Sequence, residues 1–196
     1  TRGYLKDIMV TGPVGQLVQT QYGYMGGTTV KTAVLDMASA AGLRLVPRNA
    51  RDPLKTTTYG VGELIKAALD DGAERILIGL GDSGTSDGGT GAAQALGVRL
   101  LDQQGREISR GGQGLADLAH IDLSARDERL QHVTMDVACN THNILCGQDG
   151  AASIFGPQKG ASPDSVQKLS SAFDHYAEVL EKELGLDVRF MPGGGA

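Results

Sequence analysis

Two carboxylates, Asp82 and Asp87, and three hydroxyls, Ser83, Thr85 and Ser86, crowd into one glycine-rich stretch, GLGDSGTSDGGTGAAQALG, residues 79–97. Carboxylates so placed accept a proton, orient a substrate hydroxyl or hold a metal ion. The hydroxyls and nearby backbone N–H groups donate to a carboxylate or phosphate. Glycine lets such a loop take positive φ and approach a ligand closely. The apolar run RILI, residues 75–78, predicts a buried strand before the loop, and Ala92, Ala93, Ala95 and Leu96 predict a helix after it. Strand, polar loop and helix N-terminus form a common ligand site in open α/β sheets.

Two other readings fit the same residues. Gly79, Gly81 and Gly84 match G-x-G-x-x-G, and VRLLD then ends in Asp102, near the offset of a ribose-binding acid. That pattern points to an NAD-binding oxidoreductase domain. Against it, Asp82 and Asp87 fall where a pyrophosphate would lie and would repel it. In the second reading the loop is a tight structural turn, with Asp87 a solvated helix cap.

Three further places carry polar chemistry. Thr56, Thr57 and Thr58 precede an amphipathic helical pattern, so Thr57 and Thr58 are candidates either to hold an anion or to cap the helix. Asn140, Thr141, His142 and Asn143 follow a predicted strand, which puts Asn140 and Asn143 at the ligand edge of the sheet. Lys159 is expected to be exposed on the loop GPQKG. It is not a Walker A lysine, because G-x-x-x-x-G-K-[ST] is absent.

Composition narrows the classes. The chain has 196 residues, 40% of them hydrophobic, with no Trp, so its core is aliphatic. Net charge is −5 with no basic run, which argues against a nucleic-acid surface. No apolar run reaches the roughly 18 residues needed to span a membrane, and no signal peptide is visible. Cys139 and Cys146, with His142 between them, lack a fourth ligand and standard zinc spacing, so they read as reduced thiols of a cytoplasmic protein.

The elements follow from periodicity and turn signals. Strands are expected over 4–10, 17–24 and 30–35, joined by short turns as an antiparallel meander. A helix over about 59–71 carries Val61, Leu64, Ile65, Ala68 and Leu69. Strands 76–78 and 98–101 flank the central loop and its helix as a βαβ unit with parallel strands. A strand over 132–139 follows, then a short helix capped by Asp149, then a long helix capped by Ser162 with Pro163 at its first position. The expected fold is α/β with α+β character at the N-terminal end. It is a mixed sheet with an antiparallel meander, a βαβ unit and flanking helices, forming a single domain over 1–196.

Four blocks together resemble the bacterial class I glycerate kinases: TTTYGVGELIKAAL (56–69), GLGDSGTSDGG (79–89), ACNTHNILCG (138–147) and IFGPQKGA (154–161). VTGPVG (10–15) and the closing PGGGA agree, and the blocks span nearly the whole chain. The resemblance implies phosphorylation of D-glycerate by ATP with Mg²⁺, metal ligands unassigned. It implies a domain inserted into another built from both chain ends, so the sequence reads as truncated at both ends. The partner is then that missing domain, and the chain alone is expected to be inactive. Asp87 is expected to orient or deprotonate the glycerate hydroxyl. Lys159 is expected to neutralise phosphate charge or hold the carboxylate. Asp82, Ser83, Thr85, Ser86, Thr57, Thr58, Asn140 and Asn143 complete the binding set. Family members often carry Gly-Gly-Ser where this chain has Gly81-Asp82-Ser83, and Ala-Cys-Asp where it has Ala138-Cys139-Asn140. The second departure removes a carboxylate, and Asp82 is the neighbouring group left to supply that charge. A non-catalytic module binding small anions is the remaining alternative.

Overall fold

The computed structural model describes residues 2–195. Alternating residues build a hairpin from β1 (Tyr4–Thr11) and β2 (Leu17–Tyr24), closed through the TGPVG turn. β2 pairs antiparallel with β3 (Thr32–Asp36), as the short connections require. β4 (Arg75–Gly79) then lies parallel to β3, and β7 (Thr134–Ala138) parallel to β4. The five-stranded order is β1-β2-β3-β4-β7, a mixed sheet with the expected meander at one side.

The expected βαβ unit around the central loop does not form. The strand after that loop, β5 (Arg99–Leu101), pairs antiparallel with β6 (His120–Asp122) in a separate two-stranded sheet. The parallel crossovers instead join β3 to β4 and, past the central loop and the helix that follows it, β4 to β7. The chain runs from β3 through α1 (Ala38–Ala41) and α2 (Tyr59–Asp70) back to β4. β5 is three residues long and alternates exposed and buried, so it suits a half-covered hairpin better than a sheet centre.

α2 buries Val61, Leu64, Ile65, Ala68 and Leu69 against Ala33, Leu35, Ile76 and Ile78 of the sheet, forming the main aliphatic core. α3 (Thr90–Ala95) packs on α2. A second core holds Leu115, Cys146, Ala151, Leu169 and Phe173, between α4 (Ala151–Phe155) and α5 (Pro163–Leu184). Ser162 caps α5 by accepting from the Ser165 N–H, Pro163 is its first residue, and Gly185 ends it at φ +69°. Asp149 does not cap α4; the cap residue is Gly150, whose N–H and C=O serve the turn directly. Among the described residues no helix is long and apolar enough to cross a membrane.

The end of α2 remote from the central loop is tied to the hairpin by charge. Asp71 accepts from Lys6 Nζ at 2.6 Å, from the Tyr22 hydroxyl at 2.5 Å and from the Tyr24 hydroxyl at 3.4 Å. The Lys6 and Tyr22 hydrogen bonds hold the Asp71 carboxyl below its ordinary value, while burial and Asp71 push the Tyr22 phenol up. A depressed carboxylate stabilises the fold fully above its unfolded value, about 4, and that contribution is lost as pH falls through the folded value. Asp71→Asn is therefore expected to lower the melting temperature at pH 7, with the gap to wild type shrinking toward pH 3. Thermal melts at the two pH values check this; an equal gap at both removes the charge from the explanation.

Candidate active site

The parallel strands β4 and β7 end side by side, and the polar segments of both open onto that edge. There a cleft of about 140 Å³ is lined by Asp82, Ser83, Cys139, Asn140, Thr141 and Gln158, with Gly193 and Gly195 on its rim. Asp82 adopts φ +51°, a left-handed backbone that costs energy for a residue other than glycine. Its carbonyl accepts from the Leu43 N–H at 2.9 Å, and the Gly84 N–H donates to Ala41 at 2.8 Å. These bonds fix the bend, and the Asp82 side chain stays exposed on the cleft. A larger groove of about 720 Å³ between α5 and the β5–β6 hairpin shares no residue with the cleft.

Asp87 lies elsewhere. It is 0% exposed, and its two oxygens face five donors: Thr57 Oγ1 at 3.3 Å, Thr58 N at 2.8 Å, Thr58 Oγ1 at 3.0 Å, and the N–H groups of Gly89 and Gly91, both at 3.2 Å. Burial pushes its carboxyl up, and the Thr58, Gly89 and Gly91 hydrogen bonds pull it back toward the ionised form. A carboxylate so enclosed has no free lone pair for a substrate hydroxyl, so the expectation that Asp87 touches substrate does not fit its place. Nor is it a solvated cap. The helix that Thr58 precedes has no side-chain cap, because the Thr58 hydroxyl donates to Asp87 and accepts from the Ala92 N–H at 3.0 Å. Gly91 is required here: a Cβ would come within 2.2 Å of Thr57 Oγ1 and 2.8 Å of Asp87 Oδ2.

Lys159 is not the exposed loop lysine that its flanking glycines suggest. It is 1% exposed, at the end of the short 3-10 turn Pro157–Lys159. Its ammonium donates to the carbonyls of Thr85 and Gly195 and, at 3.3 Å, to Ser86 Oγ. Burial lowers its pKa to about 8, with the Asp87 charge working the other way.

The predicted residues thus separate into three groups. Asp82, Ser83 and Asn140 line the cleft. Thr85, Ser86 and Lys159 form a buried layer behind it. Thr57, Thr58 and Asp87 make a knot that fixes the loop from the far side. Asn143 enters through its carbonyl, which accepts from Gly193 and Gly194. Sequence reasoning missed Gln158 and Thr141 as cleft residues, although both lie in the polar blocks already singled out. It also missed the glycines at 193–195; their run was the visible signal.

Asp102, the candidate ribose acid, sits in the β-turn after β5, paired with Arg106 at 2.8 Å and capping the Gln104 N–H. It belongs to the small hairpin, away from the central loop, so the dinucleotide geometry is not assembled. Among the described residues no cluster of three or more His, Cys, Asp or Glu side chains could hold a metal ion, and both cysteines are free.

Known proteins resemble this chain over its whole length. Glycerate kinases from Bacillus subtilis and Haemophilus influenzae are 51% and 48% identical to this chain over 196 residues. The glycerate 2-kinase of Escherichia coli is 49% identical. Each alignment covers 100% of this chain and 51% of the relative, so the chain spans about half the length of the curated relatives it matches. A crystal structure from Salmonella typhimurium LT2 superposes with a TM-score of 0.95 at 48% identity, over 100% of this chain and 52% of its own. With a family match that runs over residues 1–196, the chain belongs to the glycerate kinase family.

Proposed function

We propose that this chain is the acceptor half of a kinase that phosphorylates D-glycerate with ATP, the nucleotide being brought by the rest of the protein. One observation carries this reading. The polar segments after β4 and β7 meet in a cleft of about 140 Å³. That space suits a small hydroxy acid, whereas sites for larger ligands run to about 300–1,000 Å³. The chain also spans about half of its relatives, which leaves room for a nucleotide-binding part. We read it as one inserted domain.

In this proposal Ser83, Asn140 and Gln158 hold the glycerate carboxylate and hydroxyls, with the buried Lys159 ammonium behind them. Asp82, the one carboxylate among the cleft residues, orients the attacking hydroxyl and takes its proton. The hydroxyl oxygen attacks the γ-phosphorus in line and ADP leaves, so positioning and charge supply most of the catalysis. Magnesium fits the donor set: Asp82 with the oxygens of Asn140 and Thr141 provides one carboxylate and neutral oxygens, and Mg²⁺ needs few protein ligands beside phosphates and water. When bound, it neutralises phosphate charge during transfer. Asp87 is a positioning residue: it fixes the loop that presents Asp82 and Ser83. Two free thiols suit a reducing compartment, and we assign the reaction to the cytoplasm.

Paired variants of the full-length protein separate these roles. Asp82→Asn tolerates the same left-handed backbone. It is expected to reduce turnover by about 10²–10⁴-fold and to leave the melting temperature nearly unchanged. Asp87→Asn points an amide N–H at donors inside a sealed site. It is expected to cost about 2–4 kcal/mol of stability, measured by urea unfolding. A stable Asp87→Asn protein whose turnover alone collapses would return the base to Asp87.

The isolated chain gives a second test. In an ADP-release assay with ATP, Mg²⁺ and D-glycerate, it is expected to show no turnover near the roughly 1–100 per second of kinases. The full-length protein is expected to reach that range. Full activity from the chain alone contradicts the division of labour.

A further inference from the structure

The last glycines of the described chain lie across the site. Gly193 and Gly194 donate to the Asn143 carbonyl at 3.0 and 2.8 Å. A Cβ at Gly194 would come within 2.8 Å of the Ile144 carbonyl, so only glycine lets the segment lie this close. The segment ends with the Gly195 carbonyl oxygen accepting from Lys159 Nζ at 2.5 Å and from Ser83 Oγ at 3.0 Å. Two donors, one of them a buried cation, converge on a single neutral oxygen at the rim of the cleft.

That arrangement leaves the ammonium short of charge. Its three acceptors, Thr85 O, Ser86 Oγ and Gly195 O, are all neutral. Asp87 acts on it through space, but the Asp87 oxygens accept from threonine and glycine instead. A buried cation gains when an anion pairs with it. Hydrogen bonds to an ionised oxygen are roughly twice as strong as those to a neutral one. Thr85 and Ser86 belong to the loop fixed by Asp87. The Gly195 carbonyl is held by a run of glycines without side chains, so it is the acceptor that can give way.

We propose that the Gly195 carbonyl occupies a ligand subsite: an anionic oxygen of a carboxylate or phosphoryl group replaces it on Lys159 and Ser83, and the 193–195 strap is released as the ligand binds. This inference rests on the kinase reading above for the identity of the ligands. The exchange makes Lys159 a switch between strap and substrate.

The test is hydrogen exchange at the Gly193 and Gly194 amides in the full-length protein, followed by mass spectrometry. D-glycerate alone and ATP alone are the two probes, with binding of each measured by calorimetry. Binding of the ligand that carries the exchanging oxygen is expected to speed exchange at these amides by about tenfold or more; the responding probe identifies carboxylate or phosphoryl as the source. Lys159→Met is expected to give fast exchange without any ligand. Ser83→Ala is a milder second variant, with a smaller increase, should Lys159→Met fail to fold. Unchanged or slower exchange with both ligands bound overturns the proposal. Failure of D-glycerate to bind instead overturns the kinase reading. The variants then still decide the strap: slow exchange in the folded variants overturns it and fast exchange supports it.

Discussion

A carboxylate sealed from water holds this structure's functional end together. Asp87 collects donors from two distant segments, the threonines before α2 and the glycines that begin α3. Burying a charge is costly unless its lone pairs are filled, so these partners are obligatory. Satisfying Asp87 brings α2 and α3 to one point and sets the course of the loop between β4 and α3. The glycines that follow Asp87 in that loop are explained by this requirement, since the Gly89 and Gly91 N–H groups both donate to it.

Lys159 extends the same logic toward the cleft. It carries the positive charge nearest in role to Asp87, yet the two do not hydrogen-bond. One layer of loop, Thr85 and Ser86, stands between them and uses its carbonyl and hydroxyl to receive the ammonium. Tyr176 of α5 reaches the same loop through its hydroxyl on the Gly88 carbonyl at 3.2 Å. The second core is thereby fixed to the loop built on the first, so the site's backing depends on both. The cleft groups Asp82, Ser83 and Asn140 stand on a floor that neither core could build alone.

The placement of the cleft follows from sheet direction. β3, β4 and β7 run parallel, so their carboxyl ends share an edge and the segments that follow them converge. The antiparallel hairpin meets the same edge through its turn, where the Pro13 carbonyl accepts from the Thr57 N–H at 3.0 Å, and through Thr11, whose N–H donates to Glu63. At the opposite edge the hairpin is held by the Asp71 cluster.

The sequence by itself determined the local structure and the chemical inventory. Alternation set β1 and β2 almost to the residue, helical spacing set α2, and Ser162, Pro163 and Gly185 set both ends of α5. The polar blocks at 79–89 and 138–147 were legible as site material because they follow apolar runs. Tertiary structure decided which of those groups face the cleft and which strands pair. Asp82 and Asp87 are alike in composition and flanking glycines, and only three-dimensional packing leaves one exposed and surrounds the other with donors. β5 looked like a partner for β4 because it follows in sequence, but β7, more than fifty residues away, takes that place. Lys159 read as a surface residue because lysine normally is one; its burial depends on carbonyls contributed from 85 and 195. Burial and pairing are long-range properties, and no local window of sequence contains the partners that set them.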